Sequence, residues 1–369
     1  MKEPLLLTPG PTNVPLRVRE KTALPMIHHR TKDFQAVIEH VNQDLKKVFC
    51  TQSPVLFFAS SGTGAMEGGI VNLFSAGDTV ISVSAGKWGE RFRDIAKAFG
   101  LNVKSYEIPY GQAVTAAQIE AALKEHPAAK GILVTLCETS TAVTHPIRDI
   151  AAVTRRSNAL LLVDAISGLG CDPLKADEWG VDVVVCGSQK GLMLPPGLSF
   201  ISLNDRAQKA MATSTLPKYY WDFKPALKAA GKNDTAFTPA VSLVRGLDEA
   251  LAMMLEEGIE NVWKRHTEVA EFVRREVTAD GLELFSKAPA AGLTGIIMPA
   301  GIASGDVIKS MRDAEDIWMA DGQGELQGKI VRFAHMGAGC TMESAKKGLA
   351  VFRQALKKAG YQPVVKAGR

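Results

Sequence analysis

From residue 50 to about residue 205 the chain alternates short apolar runs with longer amphipathic stretches, and this alternation limits the fold more than any other feature. Val55–Ala59, Thr79–Val83, Asn102–Ile108, Gly131–Leu136, Ala159–Val163, Val181–Val185 and Leu198–Leu203 read as buried strands. Between them, Arg91–Phe99, Ala116–Glu125 and Ile147–Arg156 carry helical spacing. Strands separated by helices require right-handed crossovers, and hence a mainly parallel sheet with helices on both faces. Near-continuous runs such as Leu160-Leu161-Leu162-Val163 suit strands buried on both sides, where a half-exposed antiparallel sheet would alternate. The expected class is α/β. Strand order is not written in such a pattern.

The rhythm changes near residue 205. Met211–Thr238, with Pro217, Trp221, Pro225 and Asn233, reads as a long irregular contact loop. A helix is expected over Ile259–Val277, strands over Leu293–Met298 and Lys329–Ala334, and a helix over Glu343–Lys358. At 369 residues the chain exceeds one core, since cores stop growing near roughly 250–300 residues. The expected division is an N-terminal arm (1–15) packed on the small domain, a large domain (16–258) and a small C-terminal α+β domain (259–369).

Composition closes off other classes. With 46% hydrophobic residues the chain is not disordered, and 43 Lys and Arg against 39 Asp and Glu leave a small charge with no basic block. That balance points to small molecules and away from nucleic acid. No apolar run approaches the roughly 20 residues of a membrane span, the N-terminus offers only Leu5–Leu7 against the about 7–15 of a secretory core, and Val365–Arg369 is no recognised address. Cys50, Cys137, Cys171, Cys186 and Cys340 form no CxxC pair, which suits a reducing compartment, so a cytoplasmic location is expected. His28, His29, His145 and His335 lack metal-binding spacing, and no metal site is expected.

Ligands of open α/β sheets bind beyond the carboxyl ends of the strands, so the residues just after each run matter most. After Val55–Ala59 comes Ser60-Ser61-Gly62-Thr63-Gly64, opening a helix. This is either a tight turn or a set of N–H groups for a phosphate; it is neither a P-loop nor GxGxxG. Asp164 follows Leu160–Val163 and can cap a helix, pair with a cation or bind a ring nitrogen. Lys190, in Gly187-Ser188-Gln189-Lys190-Gly191, is a solvated charge or, if held in a cleft, an amine of lowered pKa fit for Schiff-base chemistry. Trp88, between Gly86 and Gly89, is a core residue or an exposed ring placed for stacking. Arg332 faces outward or clamps a carboxylate.

The set says more than its members. A phosphate cradle, an aromatic plate, an acid and a lysine at successive strand ends are what pyridoxal phosphate requires.

On these residues the chain resembles the class V, fold type I aminotransferases, and among them the alanine–glyoxylate and serine–glyoxylate (serine–pyruvate) group. The resemblance spans nearly the whole chain. It begins with Leu7-Thr8-Pro9-Gly10-Pro11-Thr12-Asn13-Val14-Pro15 and His29-Arg30, then runs through Ser61-Gly62-Thr63-Gly64, Lys87-Trp88-Gly89-Glu90 and Glu138-Thr139-Ser140-Thr141. It continues with Val163-Asp164-Ala165-Ile166-Ser167, Gly187-Ser188-Gln189-Lys190, Pro195-Pro196-Gly197 and Val331-Arg332-Phe333-Ala334-His335-Met336-Gly337. It implies transamination between a small amino acid, alanine or serine, and a small 2-oxo acid, glyoxylate or pyruvate, with pyridoxal 5'-phosphate as cofactor.

By the same resemblance, Lys190 joins the cofactor and moves the proton, Asp164 holds the ring nitrogen and Trp88 stacks on the ring. Ser140 or Thr139 contacts the ring substituents, and Gly62, Thr63, Gly64 and Gln189 hold the phosphate. Arg332 binds the α-carboxylate. The resemblance further implies a homodimer with shared active sites, Thr238 in Phe237-Thr238-Pro239 reaching the partner subunit's phosphate site. Ala65 stands where relatives often carry a bulkier residue. Related alternatives are cysteine desulfurase, which asks for His where Gln189 stands and for a reactive cysteine such as Cys340, and aminoethylphosphonate, phosphoserine or ureidoglycine transaminases. A hydrogenase-associated binding subunit is the alternative outside catalysis.

Overall fold

The apolar runs that open the chain's first half come together as one sheet. The computed structural model describes residues 3–362, so Val365–Arg369 lie outside the described residues. In chain order the strands are β1 (Leu5–Leu6), β2 (Val55–Ala59), β3 (Thr79–Ser84), β4 (Asn102–Glu107) and β5 (Gly131–Thr135). A short hairpin follows, β6 (Cys137–Glu138) with β7 (Val143–Thr144), then β8 (Leu160–Asp164), β9 (Val183–Gly187) and β10 (Leu198–Leu203). The last four are β11 (Leu293–Ile297), β12 (Ile317–Trp318), β13 (Ala320–Asp321) and β14 (Ile330–Ala334).

The main sheet has the order β2-β10-β9-β8-β5-β3-β4. It is mainly parallel: β4, β3, β5, β8 and β9 pair in one direction, and only β10 runs against its neighbours, β2 and β9. Helices cover both faces, because successive residues of a buried strand point to opposite sides. Leu161 and Val163 join the core beneath the helices Lys32–Val48 and Val241–Glu257. Leu160 and Leu162 join the opposite core with the helices Gly62–Leu73 and Lys87–Ala98. The carboxyl ends of β2, β3, β5, β8 and β9 therefore share one edge, and every candidate strand-end residue is delivered there.

A second sheet, β11-β14-β13, is antiparallel and packs on the helices Ile259–Ala279, Ser304–Glu315 and Met342–Lys358 through Val269, Val273, Val307, Phe333, Leu349 and Phe352. The N-terminal arm belongs to this layer: β1 pairs with β12 in parallel, and Leu7 is buried in the same core. No helix among the described residues is long and apolar enough to cross a membrane.

Three local expectations need correction. Met211–Thr238 is not wholly irregular, because Phe223–Ala230 is a helix. Asp222 caps it, its side chain accepting from Lys224 N at 3.0 Å, and Pro225 lies in the first turn, where a missing N–H costs nothing. The helix expected from Arg91 begins earlier, at Lys87. Gly89 is inside it rather than in a loop, since a Cβ there would lie 2.5 Å from Val83 O, where helix and β3 touch. Trp88 consequently sits in a helical first turn, half-buried, and is not a freely exposed ring.

Candidate active site

β8 and β9 place an acid and an amine at one cavity. Asp164 is the last residue of β8, buried, with Oδ1 accepting from Ile166 N at 2.9 Å. Burial pushes its carboxyl up to about 7 against that hydrogen bond. Lys190 follows the turn after β9 and donates from Nζ to the carbonyl of Pro9. Burial pulls its amine down to about 8, with Arg332 acting in the same direction and Cys137 and Asp164 opposing. The cavity they share measures about 170 Å³, and Gly62, Thr63, Trp88 and Gln189 are also in its wall.

Trp88 is positioned by a buried carboxylate. The N–H groups at a helix start have no partner within the helix and favour an anion. Glu138 supplies one: Oε2 accepts from Trp88 N at 2.9 Å and Gly89 N at 3.0 Å, while Oε1 accepts from Ser140 N at 3.1 Å and Ser140 Oγ at 2.5 Å. The indole Nε1 donates to Thr139 Oγ1 at 2.6 Å. One turn on, the Arg91 guanidinium lies 4.4 Å from the centre of the Trp88 ring and donates to Thr63 Oγ1 at 3.2 Å.

Arg332, on β14, is buried and held at two points. Nε donates to Asp321 O at 2.7 Å and Nη1 to Thr139 O at 3.2 Å. Burial lowers it to about 10, which leaves it charged at neutral pH. Thr139 thus joins the Trp88 indole, through its hydroxyl, to the Arg332 guanidinium, through its carbonyl.

Not every residue singled out in the sequence reaches the cavity. Gly64 turns away: its N–H donates to Ser61 O at 2.9 Å and its Cα faces Trp221. Ser140 is a support, accepting from Lys87 N at 2.9 Å and bonding Glu138. Thr238 lies elsewhere on the chain, in depressions lined by Phe57, Tyr220 and Phe237 and by Met26, His28 and His29. Cys340 is buried, its thiol pushed up to about 12 by burial, and it does not line the Lys190 cavity.

Sequence reasoning gave no role to Glu138, Arg91 or Pro9, although Glu138 and Pro9 stand in the motifs it quotes. Arg91 was signalled only by standing three residues after Trp88 on one helix face.

Over residues 14–334 the sequence matches the family described as aminotransferase class-V. The chain belongs to the class V aminotransferases. It is similar to the L-aspartate–glyoxylate aminotransferase of Paracoccus denitrificans, 36% identical over 90% of this chain and 86% of that one. A protein named soluble hydrogenase, small subunit, from a Synechococcus species is 38% identical over 90% and 88% of the two chains. The crystal structure of an alanine–glyoxylate aminotransferase from a Nostoc species superposes with a TM-score of 0.93 at 29% identity, over 96% of both chains.

Membership makes the chain an aminotransferase with pyridoxal phosphate as its cofactor, and the cavity fits that group. Ser61 begins the helix Gly62–Leu73 without a side-chain cap, leaving first-turn N–H groups for a phosphate. The buried Gln189 Oε1 in the same wall has no hydrogen-bond partner. Asp164 offers a carboxylate with little else to bond. Lys190 supplies a buried amine whose lowered pKa frees part of it from its proton near neutral pH.

Proposed function

We propose that this aminotransferase moves the amino group of a small amino acid, alanine or serine, to a small 2-oxo acid, glyoxylate or pyruvate. The observation that carries this reading is a small cavity lined by Lys190, Asp164, Trp88 and Gln189, with the Arg332 guanidinium, outside its wall, tied to Trp88 through Thr139. The family's named relatives, several of which act on glyoxylate, support the choice of acceptor.

Residues in the wall divide the work. Gly62, Thr63 and Gln189 would hold the cofactor phosphate, Trp88 its ring face and Asp164 its protonated ring nitrogen. When bound, pyridoxal phosphate supplies an aldehyde that takes the amino group and a ring that spreads negative charge from the substrate Cα. Arg332 binds the α-carboxylate through its unspent N–H groups and fixes which Cα bond faces Lys190. Lys190 Nζ would take the Cα proton and give it to the cofactor carbon that began as the aldehyde, a general base turned general acid. Asp164 would keep the ring nitrogen positively charged, which is worth most in a buried, low-dielectric site. The second half-reaction uses the same residues in reverse order.

The working unit is a homodimer in the cytoplasm, with Thr238 contributing to the partner subunit's phosphate site. Supporting this, Met26, 70% exposed, lies in the depression that Thr238 lines, and Tyr219, 82% exposed, leans at a tilt against Phe237, the residue before Thr238. Residues 16–258 and 259–369 act as two domains with the arm 1–15 packed on the second. A donor panel with glyoxylate and pyruvate as acceptors, followed by cofactor absorbance, tests the reaction. Half-reactions with alanine or serine are expected without any added partner protein. Silence with every small donor, or turnover that survives Lys190→Ala, refutes the assignment.

A further inference from the structure

We propose that the Pro9–Gly10 turn of the N-terminal arm is a working part of the active site, a positioning element whose Pro9 carbonyl holds the Lys190 amine and whose place is set by the strand that carries Arg332. The inference rests on Lys190 being the lysine that joins the cofactor.

The contacts are specific. Lys190 Nζ donates to Pro9 O, and the Gly10 Cα lies so close that a Cβ there would fall 2.4, 2.5 and 2.6 Å from Lys190 Nζ, Cε and Cδ. Thr12 returns to the same segment, its N–H donating to Gln189 O and its hydroxyl to Lys190 O, both at 3.2 Å. The arm ties itself into a loop. Asn13 Oδ1 accepts from Leu6 N and Asn13 Nδ2 donates to Pro4 O, each at 2.8 Å, and Thr8 Oγ1 donates to Pro11 O at 2.9 Å.

The other end of the loop is anchored on the substrate-clamp layer. Leu7 N donates to Trp318 O at 2.8 Å, and Leu7 O accepts from Ala334 N at 2.9 Å. Ala334 closes β14, two residues beyond Arg332. A continuous path therefore runs from Arg332 along β14 to Leu7, through Thr8 and Pro9, to the amine.

A carbonyl suits this task because it accepts hydrogen bonds and has no proton to exchange. It can orient Nζ while leaving the transferable proton or the lone pair for the substrate. It also favours the ammonium, the stronger donor, against the burial that favours the free amine. The other groups that act on Lys190 are Asp164 on β8, Cys137 on β6, Cys171 and Arg332 on β14.

Gly10→Ala tests the idea in the full-length protein. Its Cβ meets the free end of the Lys190 side chain, and because Gly10 sits at φ +123°, which an L side chain rarely adopts, the variant strains the turn as well as displacing the amine, while Leu7 and Thr12 keep the flanking backbone anchored. In cofactor-free protein, the acetylation of Lys190 by acetic anhydride is followed by peptide mass spectrometry between about pH 6 and 10. The midpoint is expected to fall by about one unit in Gly10→Ala, with cofactor uptake altered about tenfold. Asn13→Ala, which loosens the loop without touching Lys190, should shift the midpoint the same way by less, and decides the matter alone if Gly10→Ala does not accumulate. An unchanged midpoint in the folded variants, with borohydride still trapping the cofactor on Lys190, overturns the role of the turn. Trapping on another lysine overturns the assignment of Lys190 itself.

Discussion

Replacing Asp164 by Asn should make the cofactor-free protein more stable and the enzyme much worse. Burial raises the carboxyl from the ordinary 3.8 to about 7, so the folded chain binds a proton there more tightly than the unfolded one. Stability from this group is then present at low pH and lost as pH rises from about 4 to about 7. The shift of about 3 units corresponds to about 4 kcal/mol once the carboxyl is ionised. Asn matches the protonated acid in shape and keeps an oxygen for Ile166 N, so it avoids this cost. Its advantage is expected to be about 4 kcal/mol at pH 8 and about 2 kcal/mol at pH 5. Urea unfolding of both cofactor-free proteins at the two pH values measures it. With cofactor bound the order reverses in function: in the role proposed for Asp164, loss of its charge should lower kcat by about a hundredfold or more. An advantage that does not grow between pH 5 and pH 8 refutes the reasoning, as does a variant less stable than the parent at pH 8.

Other expectations follow from single contacts. Arg332→Ala should lower kcat/KM about 10- to 100-fold for amino and oxo acids alike, and an unchanged value would place the carboxylate clamp elsewhere. Glu138→Gln puts an NH2 group where one carboxylate oxygen accepts hydrogen bonds, and should cost about 1–3 kcal/mol in thermal unfolding and weaken cofactor binding through Trp88. Co-expression of Lys190→Ala with Thr238→Ala should restore activity if sites are shared, because one site of the mixed dimer is intact. No recovery would mean that Thr238 serves its own chain or none.

How much of this was legible in the sequence varies by residue for physical reasons. Strand positions were readable because Leu160–Val163 and its companions are buried on both faces and must be apolar throughout. The reversal of β10 was not, since Leu198–Leu203 has the same composition whichever way it runs. Lys190 and Asp164 could be found as polar residues ending apolar runs. Glu138 could not, because its value lies in meeting the first turn of a helix some 50 residues earlier in the chain. The helix at Phe223 was hidden by Pro225, which signals a break in a helix interior but is harmless in a first turn. The arm's contact with Lys190 spans 181 residues and rests on a backbone carbonyl, a group every residue carries.

The way Arg332 is pinned has a consequence for selectivity. An arginine free to rotate would surrender about 2 kcal/mol of side-chain entropy whenever a ligand arrived. Bonds to Asp321 O and Thr139 O settle that loss during folding, so in the role proposed for Arg332 the remaining N–H groups would meet every α-carboxylate in the same orientation. Both amino acids and both oxo acids of a transamination carry that carboxylate, and such a clamp would meet all four through the same contact. Discrimination among donors must then arise where their side chains differ, as a difference between affinities that Arg332 does not touch. A rigid reader of the shared group leaves the rest of the cavity free to vary in what it accepts.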